Sequence, residues 1–312
     1  MPRYQIIANP TSGRGLGEHS MPKIDAELRK LGLDYEIHRT EAPGHAIQLA
    51  KQAAIDGSGV VVAAGGDGTL NEVLNGLMQA REAGIKVPSL GVIPIGRGND
   101  FCYGVDIPHN IEAVCKLLAS REWRLIDVGL VKGGDYPEGR YFGNGVGIGF
   151  DAVVGFEALK LKKLGGFPSY IAAALKTILL YYQAPKVKIQ MNGLSVTQPA
   201  LMVSIMNGRR LGGGFMMAPQ GSMDDGLLDL CIAGQVSRPT MLAMIPRFMM
   251  GTQAGHPAIT TAQTNRIMVT AIEGSLPAHG DGETMCTRGQ ELEISIIPKA
   301  VRVIGSDQKG EL

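Results

Sequence analysis

The first 128 residues alternate short runs of β-branched and apolar residues with segments in which apolar residues recur at helical spacing. The apolar runs predict strands at residues 4–8, 35–39, 60–64 and 90–93. The helical spacing predicts a helix through Met21, Ile24, Leu28 and Leu31, and three more over residues 44–56, 70–83 and 110–120. Strands that alternate with helices are typical of an open α/β domain around a mostly parallel sheet.

The pattern changes after about residue 127. Strand-like runs follow one another through Gly-rich turns, and two helical segments interrupt them. The predicted strands are at 186–191, 200–206, 227–233, 266–272 and 292–297, and the predicted helices are at 168–184 and 238–250. Successive short strands favour an antiparallel β-sandwich. The sequence therefore predicts an α/β domain over 1–128 and a β-rich domain over 129–297, with the segment 298–312 returning to the first domain.

Composition narrows the classes of function. The chain has 312 residues, 30 Lys plus Arg and 29 Asp plus Glu, so its net charge of +1 argues against a nucleic-acid-binding protein. The four cysteines form no CxxC pair, which argues against a zinc site or a disulfide framework and fits a reducing cytoplasm. The N-terminus lacks a signal-peptide pattern, and no apolar segment reaches the ~20 residues that a membrane span needs.

Three Gly-rich loops follow predicted strands of the first domain. The strongest signal is Gly65-Gly-Asp-Gly-Thr69, which ends a buried strand and opens a helix, as a phosphate-binding loop does. Asn9-Pro-Thr-Ser-Gly13 and Pro94-Ile-Gly-Arg-Gly-Asn-Asp100 follow two other strands. Ligands of open α/β sheets bind at the carboxyl ends of the strands, so the three loops together predict a nucleotide site.

Other motifs are open to more than one interpretation. Ser222–Asp229 and His279–Glu283 are acidic turns, which by themselves fit a capped turn and a hairpin tip as well as a site. Asn144–Asp151 has the glycine spacing of a dinucleotide fingerprint but lies in the β-rich half, so it is interpreted as an interdomain strand and Asp151 as structural. A stripe of Met and Phe over 241–249 fits a core face or a surface that meets acyl chains.

The ordered set NPTSG, GGDGTLNE, PIGRGND, DDGLLDL and DGE resembles the bacterial soluble diacylglycerol kinase and lipid kinase family, over positions 9–283. The resemblance implies an ATP-binding α/β domain and a β-sandwich domain, with the active site in the cleft between them. The loops and the resemblance together give as nucleotide-binding residues Asn9, Pro10, Thr11, Ser12, Gly13, Thr40, Gly65, Gly66, Asp67, Gly68, Thr69, Leu70, Asn71, Glu72, Arg97, Asn99 and Asp100.

The resemblance also implies catalytic roles. Glu283 is expected to be the general base, and Asp67 to organise magnesium and phosphates. A structural magnesium is expected at Ser222, Asp225 and Leu227. Arg97 stands where the family usually has threonine, so a hydroxyl contact there is replaced by a guanidinium that can pair with phosphate.

The expected function is an ATP- and magnesium-dependent kinase for the hydroxyl of a diacylglycerol-like lipid, located in the cytoplasm and peripherally on the membrane. Two alternatives stay open: a NAD or sugar-phosphate kinase that shares the GGDGT loop, and a non-catalytic lipid- or nucleotide-binding regulator. The identity of the lipid and the choice between monomer and homodimer are also open.

Overall fold

The computed structural model describes residues 3–161, 167–180 and 184–305. The chain divides into two compact units. The first consists of Met1–Ile126 and Lys299–Leu312, and the second of Asp127–Pro298. Within the predicted C-terminal segment, residues 306–312 lie outside the described part of the chain, as do residues 181–183 of the predicted helix 168–184.

Parallel strands form the centre of the first unit. They are β1 (Tyr4–Ala8), β2 (Tyr35–Arg39), β3 (Val60–Gly65) and β4 (Ser89–Pro94), hydrogen-bonded in the order β2–β1–β3–β4. The end of a later strand pairs with β4 in parallel through Val303 and Leu90. β1 and β3 are buried along their whole length, as expected for parallel strands that helices cover on both faces. The predicted α/β domain is thus confirmed.

The helices of the first unit follow its strands. They are α1 (Ser12–Lys30), α2 (His45–Ile55), α3 (Asp67–Glu82), α4 (Asp100–Gly104) and α5 (Ile111–Ser120). In α1 the predicted apolar positions Met21, Ile24 and Leu28 are buried. The helix begins earlier than predicted, but Gly13, Arg14 and Gly15 have positive φ and interrupt its first turn. Asn110 caps α5 because its side chain accepts a hydrogen bond from the Ala113 N–H.

The second unit is built from antiparallel strand pairs. Its strands are β5 (Trp123–Gly133), β6 (Tyr136–Phe142), β7 (Gly145–Gly149), β8 (Lys186–Met191), β9 (Leu194–Met206), β10 (Leu228–Gly234), β11 (Ile259–Thr264), β12 (Arg266–Glu273), β13 (Leu276–Gly280), β14 (Glu283–Gly289) and β15 (Glu291–Ile304), of which β5 and β15 also reach the first unit. β9 joins two groups of strands. Residues Leu194–Pro199 pair with β8, and the residues after them pair with β7 and β10.

A continuous apolar core joins the two strand groups. Ile189, Ile267 and Leu292 contribute to it from one group, and Val146 and Ile205 from the other. Side chains that two sheets bury between them define a β-sandwich, so the predicted β-rich second domain is also confirmed.

In the described part of the second unit there are three α-helices: α6 (Phe150–Lys160), α7 (Phe167–Leu180) and α8 (Arg238–Met250). α8 begins after Ser237, whose hydroxyl accepts a hydrogen bond from the Thr240 N–H, and it ends at Gly251 with φ of 70°. Among the described residues, the helices are all too short or too polar to cross a bilayer.

Candidate active site

The loop after β3 opens directly into α3, which begins at Asp67. Gly66 precedes the helix with an extended backbone (φ −98°, ψ −170°) and has no side chain that could cap it. The N–H groups in the first turn of a helix have no partner within the helix, and they favour an anion. Position 65 requires a glycine, because a Cβ built there would lie 2.4 Å from Thr69 Oγ1.

The loops after β1, β3 and β4 contact one another. A Cβ on Gly96 would lie 2.5 Å from the Cα of Gly66, and a Cβ on Gly13 would lie 2.5 Å from the Ile95 carbonyl oxygen. The three Gly-rich loops predicted from the sequence are therefore brought together at the carboxyl edge of the parallel sheet.

Asn9 ties the first loop to the phosphate loop. Its Nδ2 donates to Thr69 Oγ1 at 3.0 Å, while its Oδ1 accepts from the backbone N–H and the hydroxyl of Thr11, at 3.0 and 2.9 Å. One amide side chain thus fixes both loops. Ser12 lies in the same cluster, with its hydroxyl oxygen 3.6 Å from where a Cβ on Gly66 would be.

Two carboxylates flank Gly98 in the third loop. A Cβ on Gly98 would lie 2.9 Å from Asp67 Oδ2 and 3.5 Å from Asp100 Oδ2. The other oxygen of Asp67 accepts a hydrogen bond from the Phe101 N–H at 3.4 Å. Asn99 holds the loop with φ of 50° and donates its Nδ2 to the Gly96 carbonyl at 3.1 Å. Carboxylate oxygens in this arrangement suit a hard cation such as magnesium.

Arg97 and Arg14 bring positive charge to the same loops. Arg97 is exposed, but the limited burial of its guanidinium and the charge of Arg14 both lower its pKa. Two guanidinium groups close enough to repel each other would gain from a phosphate placed beside them, because an anion replaces repulsion by attraction.

Four other predicted nucleotide-binding residues lie in α3 or after β2. The Glu72 carboxylate accepts hydrogen bonds from the N–H groups of Gly44 and Ala46 at 2.8 and 3.1 Å, so it caps the start of α2. Leu70 and Asn71 are buried in α3. Thr40 follows β2, and its N–H donates to the Ala8 carbonyl beside the first loop.

Glu283 is the first residue of β14, after a two-residue turn from β13. The turn residues Asp281 and Gly282 have φ of 49° and 84°, and two positive φ values in a two-residue hairpin are characteristic of a type I′ turn. The side chain of Glu283 is partly exposed. The predicted general base is therefore carried at the end of a tight hairpin.

Asp281 fixes that hairpin to the segment between β6 and β7. Its carboxylate accepts hydrogen bonds from the backbone N–H groups of Gly143, Asn144 and Gly145, at 2.6, 3.0 and 3.0 Å. The side chain is buried, with 6% of its surface exposed. Three charge-assisted hydrogen bonds in a buried setting make the hairpin tip rigid.

The predicted structural magnesium site is a loop with its own hydrogen bonds. The Ser222 hydroxyl donates to Asp224 at 2.6 Å, and Asp225 Oδ1 accepts from the Leu227 N–H at 3.0 Å. Among the described residues, no group of three or more His, Cys, Asp or Glu side chains could hold a metal. A cation here would depend on one carboxylate and on backbone carbonyls, which is chemistry that magnesium accepts.

An apolar pocket of about 110 Å³ lies beneath α6, α7 and α8 of the second unit and is partly open to solvent. Its walls include Val154 of α6, Ile178 of α7, and Met241, Met244 and Phe248 of α8. Of the Met and Phe stripe predicted from the sequence, Met241 and Met244 are buried, Phe248 is half-buried and Met249 is exposed. The stripe therefore lines a pocket and also contributes to the core.

The lining of the pocket includes two titratable residues, Asp151 and His279. A Cβ on Gly147 would lie 2.3 Å from Asp151 Oδ2 and 2.5 Å from His279 Nε2, so both atoms occupy the space above this glycine. Asp151 Oδ2 accepts a hydrogen bond from the Ser204 hydroxyl at 2.6 Å. His279 Nε2 is buried and forms no hydrogen bond within the described residues.

Burial shifts the pKa of both groups. It raises the pKa of Asp151 to about 7, and it lowers the pKa of His279 to about 4. Neither side chain was given a site role from the sequence. The run Asn144–Asp151 contains β7, which pairs with β9 and β13 within the sheet of the second unit, so its glycines do not form a dinucleotide loop.

Gly-rich loops at the edge of a parallel sheet, followed by a β-sandwich unit, define the class of kinases that join a nucleotide-binding α/β domain to a β domain. The model of the diacylglycerol kinase catalytic domain matches residues 3–131, and that of the YegS C-terminal NAD kinase β-sandwich-like domain matches residues 144–305. A diacylglycerol kinase of Bacillus subtilis (strain 168) is 30% identical over 286 residues, which cover 91% of this chain and 90% of that protein. The chain belongs to the diacylglycerol kinase family, and the expectation of a lipid kinase is confirmed.

Solved structures share the fold. A diacylglycerol kinase structure from Bacillus anthracis str. Sterne has a TM-score of 0.74 at 23% identity and covers 98% of this chain and 97% of its own. The yeast NADH kinase in complex with NADH has a TM-score of 0.54 at 10% identity, covering 99% of this chain and 85% of its own. The fold is thus shared with a NADH kinase, at an identity too low to carry function.

Proposed function

We propose that the protein transfers the γ-phosphoryl group of ATP to the free hydroxyl of a diacylglycerol-like lipid in a magnesium-dependent reaction. The observation that carries the proposal is the apolar pocket in the same unit as Glu283, in a chain whose first unit matches a diacylglycerol kinase catalytic domain. A water-soluble acceptor such as NAD or a sugar would not require an apolar pocket of this kind.

The nucleotide would be held by the three Gly-rich loops of the first unit. The helix N-terminus at Asp67 suits the phosphates, and Arg97 adds a donor that can pair with phosphate oxygens. The carboxylates of Asp67 and Asp100, which both lie beside Gly98, would suit a magnesium ion, and that ion would neutralise charge on the phosphates. Asn9 keeps two of the loops in position.

Glu283 would accept the proton of the acceptor hydroxyl. In the reaction the bond between the γ-phosphorus and the oxygen bridging to the β-phosphate breaks, and a bond forms between that phosphorus and the lipid oxygen. ADP leaves, and the hydroxyl proton passes to the Glu283 carboxylate. A positioned base of this kind contributes roughly 10²- to 10⁴-fold to the rate. The proposal requires the nucleotide on the first unit to reach an acceptor beside Glu283.

The acyl chains would occupy the pocket beneath α6, α7 and α8. Met side chains adapt to chains of different length, which suits a lipid site. His279 and Asp151 in its lining can form hydrogen bonds with an ester or a hydroxyl of the lipid. Because the acceptor resides in a bilayer, we also propose that the enzyme works peripherally at the cytoplasmic face of a membrane.

The experiment is a transfer assay with γ-labelled ATP and a panel of acceptors: dispersed diacylglycerol, ceramide, a sphingoid base, phosphatidylglycerol, NAD and a sugar. We expect label in diacylglycerol or another lipid alcohol, dependent on magnesium. Label in NAD or the sugar alone would replace the proposal by a soluble-acceptor kinase. Bound nucleotide without transfer to any acceptor would indicate a regulator.

Glu283→Gln provides the matched test of the base, since the amide keeps the shape of the side chain and cannot accept the proton. We expect a loss of about 10²-fold or more in kcat with little change in ATP affinity. A folded Glu283→Gln protein with full turnover would contradict the assigned role.

A further inference from the structure

A second pocket, with a volume of about 590 Å³, adjoins the apolar pocket beneath α6, α7 and α8. The apolar pocket itself, at about 110 Å³, is smaller than an engineered protein cavity of about 150 Å³ that binds one benzene molecule. Pockets that enclose a small organic ligand have volumes of about 300 to 1,000 Å³. The apolar pocket alone is therefore too small for a lipid acyl chain, whereas the two pockets together fall within that range.

Phe150 and Leu201 separate the two pockets, and among the described lining residues they are the two that both pockets share. Gly149 pairs with Met202 at the end of the β7–β9 ladder. Because these strands are antiparallel, Phe150 and Leu201 adjoin that pair on the same side. Phe150 is the first residue of α6, and its side chain packs against two apolar clusters of the second unit. The wall between the pockets is thus one layer of side chains thick.

The second pocket has an apolar inner wall and a polar mouth. Val153 of α6 lines it together with Phe150 and Leu201. Lys186 and Glu273 form an ion pair at 3.2 Å, and both side chains are exposed, so they lie at the mouth. The other polar side chains among its described lining residues are two hydroxyls, those of Thr177 and Ser275. An uncharged interior of this kind suits an acyl chain better than a charged ligand.

We propose that the second pocket is the distal part of the acyl site, and that Phe150 divides the two parts and sets the length of chain that the protein accepts. A short chain ends before Phe150. A longer chain turns this side chain into another rotamer and enters the second pocket. The inference rests on the proposed function, because it concerns the lipid that the apolar pocket is proposed to hold.

The experiment measures the binding of radiolabelled dihexanoylglycerol and dipalmitoylglycerol to the full chain without ATP, with each lipid presented from cyclodextrin. Each methylene that leaves water for an apolar site raises the affinity about fourfold. Val153→Trp fills the second pocket from α6, and Val153 does not line the first. We expect this variant to lower the ratio of the affinity for the long lipid to that for the short lipid about tenfold or more.

Ser275→Trp tests the same pocket from another element. Ser275 lies in the turn between β12 and β13, so its replacement fills the pocket without altering α6. We expect the same fall in the affinity ratio, and the test does not then depend on the folding of one variant. Phe150→Ala removes the divider and the strain of moving it, and should raise the ratio about fivefold or more.

Leu159→Trp is the matched control. It places the same side chain on α6, at a position that is 67% exposed and lines neither pocket. We expect the affinity ratio to stay within about twofold of that of the unaltered protein, because a distant site acts independently. Matching thermal midpoints for Val153→Trp and Leu159→Trp exclude unfolding as the cause.

Two results would overturn the inference: an unchanged affinity ratio in both Val153→Trp and Ser275→Trp, and an equal fall in Leu159→Trp. Phosphoryl transfer separates the inference from the proposed function. Lipid binding with the expected ratios but without turnover would leave the extended acyl site standing and remove the kinase proposal. Turnover of both lipids, with a ratio of kcat/KM values that neither tryptophan in the second pocket changes, would do the reverse. Failure of the unaltered protein to bind either lipid would overturn both.

Discussion

Gly66 and Gly96 touch backbone to backbone: a Cβ on Gly96 would lie 2.5 Å from the Cα of Gly66, and a Cβ on Gly66 would lie 3.1 Å from the Cα of Gly96. A contact this close leaves no space for any side chain at position 96. The phosphate loop after β3 therefore depends for its position on the loop after β4.

Gly96→Ala should displace the phosphate loop and weaken nucleotide binding. A shift of even a fraction of an ångström misplaces N–H donors that must meet phosphate oxygens, so we expect ATP affinity to fall about tenfold or more, with a loss of stability of about 1 to 3 kcal/mol. Calorimetric titration with a non-hydrolysable ATP analogue measures the effect. Gly255→Ala is the control, because a Cβ there meets nothing within 4 Å. Equal affinities in the two variants would contradict the role of the contact.

Some elements were predicted with the bounds that the structure shows, and these are the elements whose sequence pattern is local. β1, β2, β8 and α8 begin and end where the apolar runs or the helical spacing do. The strands that were missed have weak local signals. β13 reads LPAHG, and it is a strand because β14 and β7 pair with it, so tertiary contacts decide its conformation.

In the candidate site, too, the features with a local sequence pattern could be predicted and those that depend on tertiary contacts could not. The Gly-rich loops were predictable because a strand, a glycine turn and a helix start are adjacent in the sequence. The cap that Glu72 provides to α2, and the meeting of Asp151 with His279 above Gly147, join residues that are far apart in the chain. The meeting of Asp151 with His279 had one local signal in the sequence, the run of glycines in β7. A glycine there leaves space that side chains from other parts of the chain can occupy.

Asp281→Asn should loosen the hairpin that carries Glu283. The carboxylate accepts three backbone hydrogen bonds, and an amide would turn its NH₂ toward a buried N–H donor. We expect a loss of about 3 kcal/mol in the free energy of unfolding, measured by urea denaturation, together with reduced kcat. Glu283→Gln, at a partly exposed position, should lose turnover while its stability changes by only about 0.5 kcal/mol. Similar stability in both variants would show that Asp281 does not hold the turn.

Arg97→Thr restores the residue usual in the family and removes one of the two guanidinium groups. If Arg97 pairs with phosphate, the KM for ATP should rise about five- to tenfold, and the increase should shrink at high salt. Arg97→Lys should recover part of the affinity, since it keeps the charge and loses the bidentate geometry. An unchanged KM in Arg97→Thr would place this exposed side chain outside the nucleotide site.

Asp151→Asn should change how stability depends on pH. Burial raises the pKa of Asp151 from its ordinary 3.8 to about 7, so over that range the folded protein holds a proton that the unfolded chain has lost. Its contribution to stability is full below pH 3.8 and falls by up to about 1.4 kcal/mol per pH unit until about pH 7. An amide at position 151 has no proton to lose, so this fall should disappear in the variant.

The pKa shift of His279 has the opposite effect on the pH dependence of stability, so the loss of the Asp151 contribution can be measured against it. Its pKa falls from 6.5 to about 4, so the unfolded chain binds a proton there that the folded protein does not, and stability rises with pH across that range. In the unaltered protein the two slopes offset each other between about pH 4 and 6.5, whereas in Asp151→Asn the rise from His279 remains. Urea denaturation at several pH values measures the difference, and His279→Gln should instead leave the fall due to Asp151. Parallel pH profiles for Asp151→Asn and the unaltered protein would mean that the Asp151 carboxyl titrates in the folded state as it does in the unfolded chain.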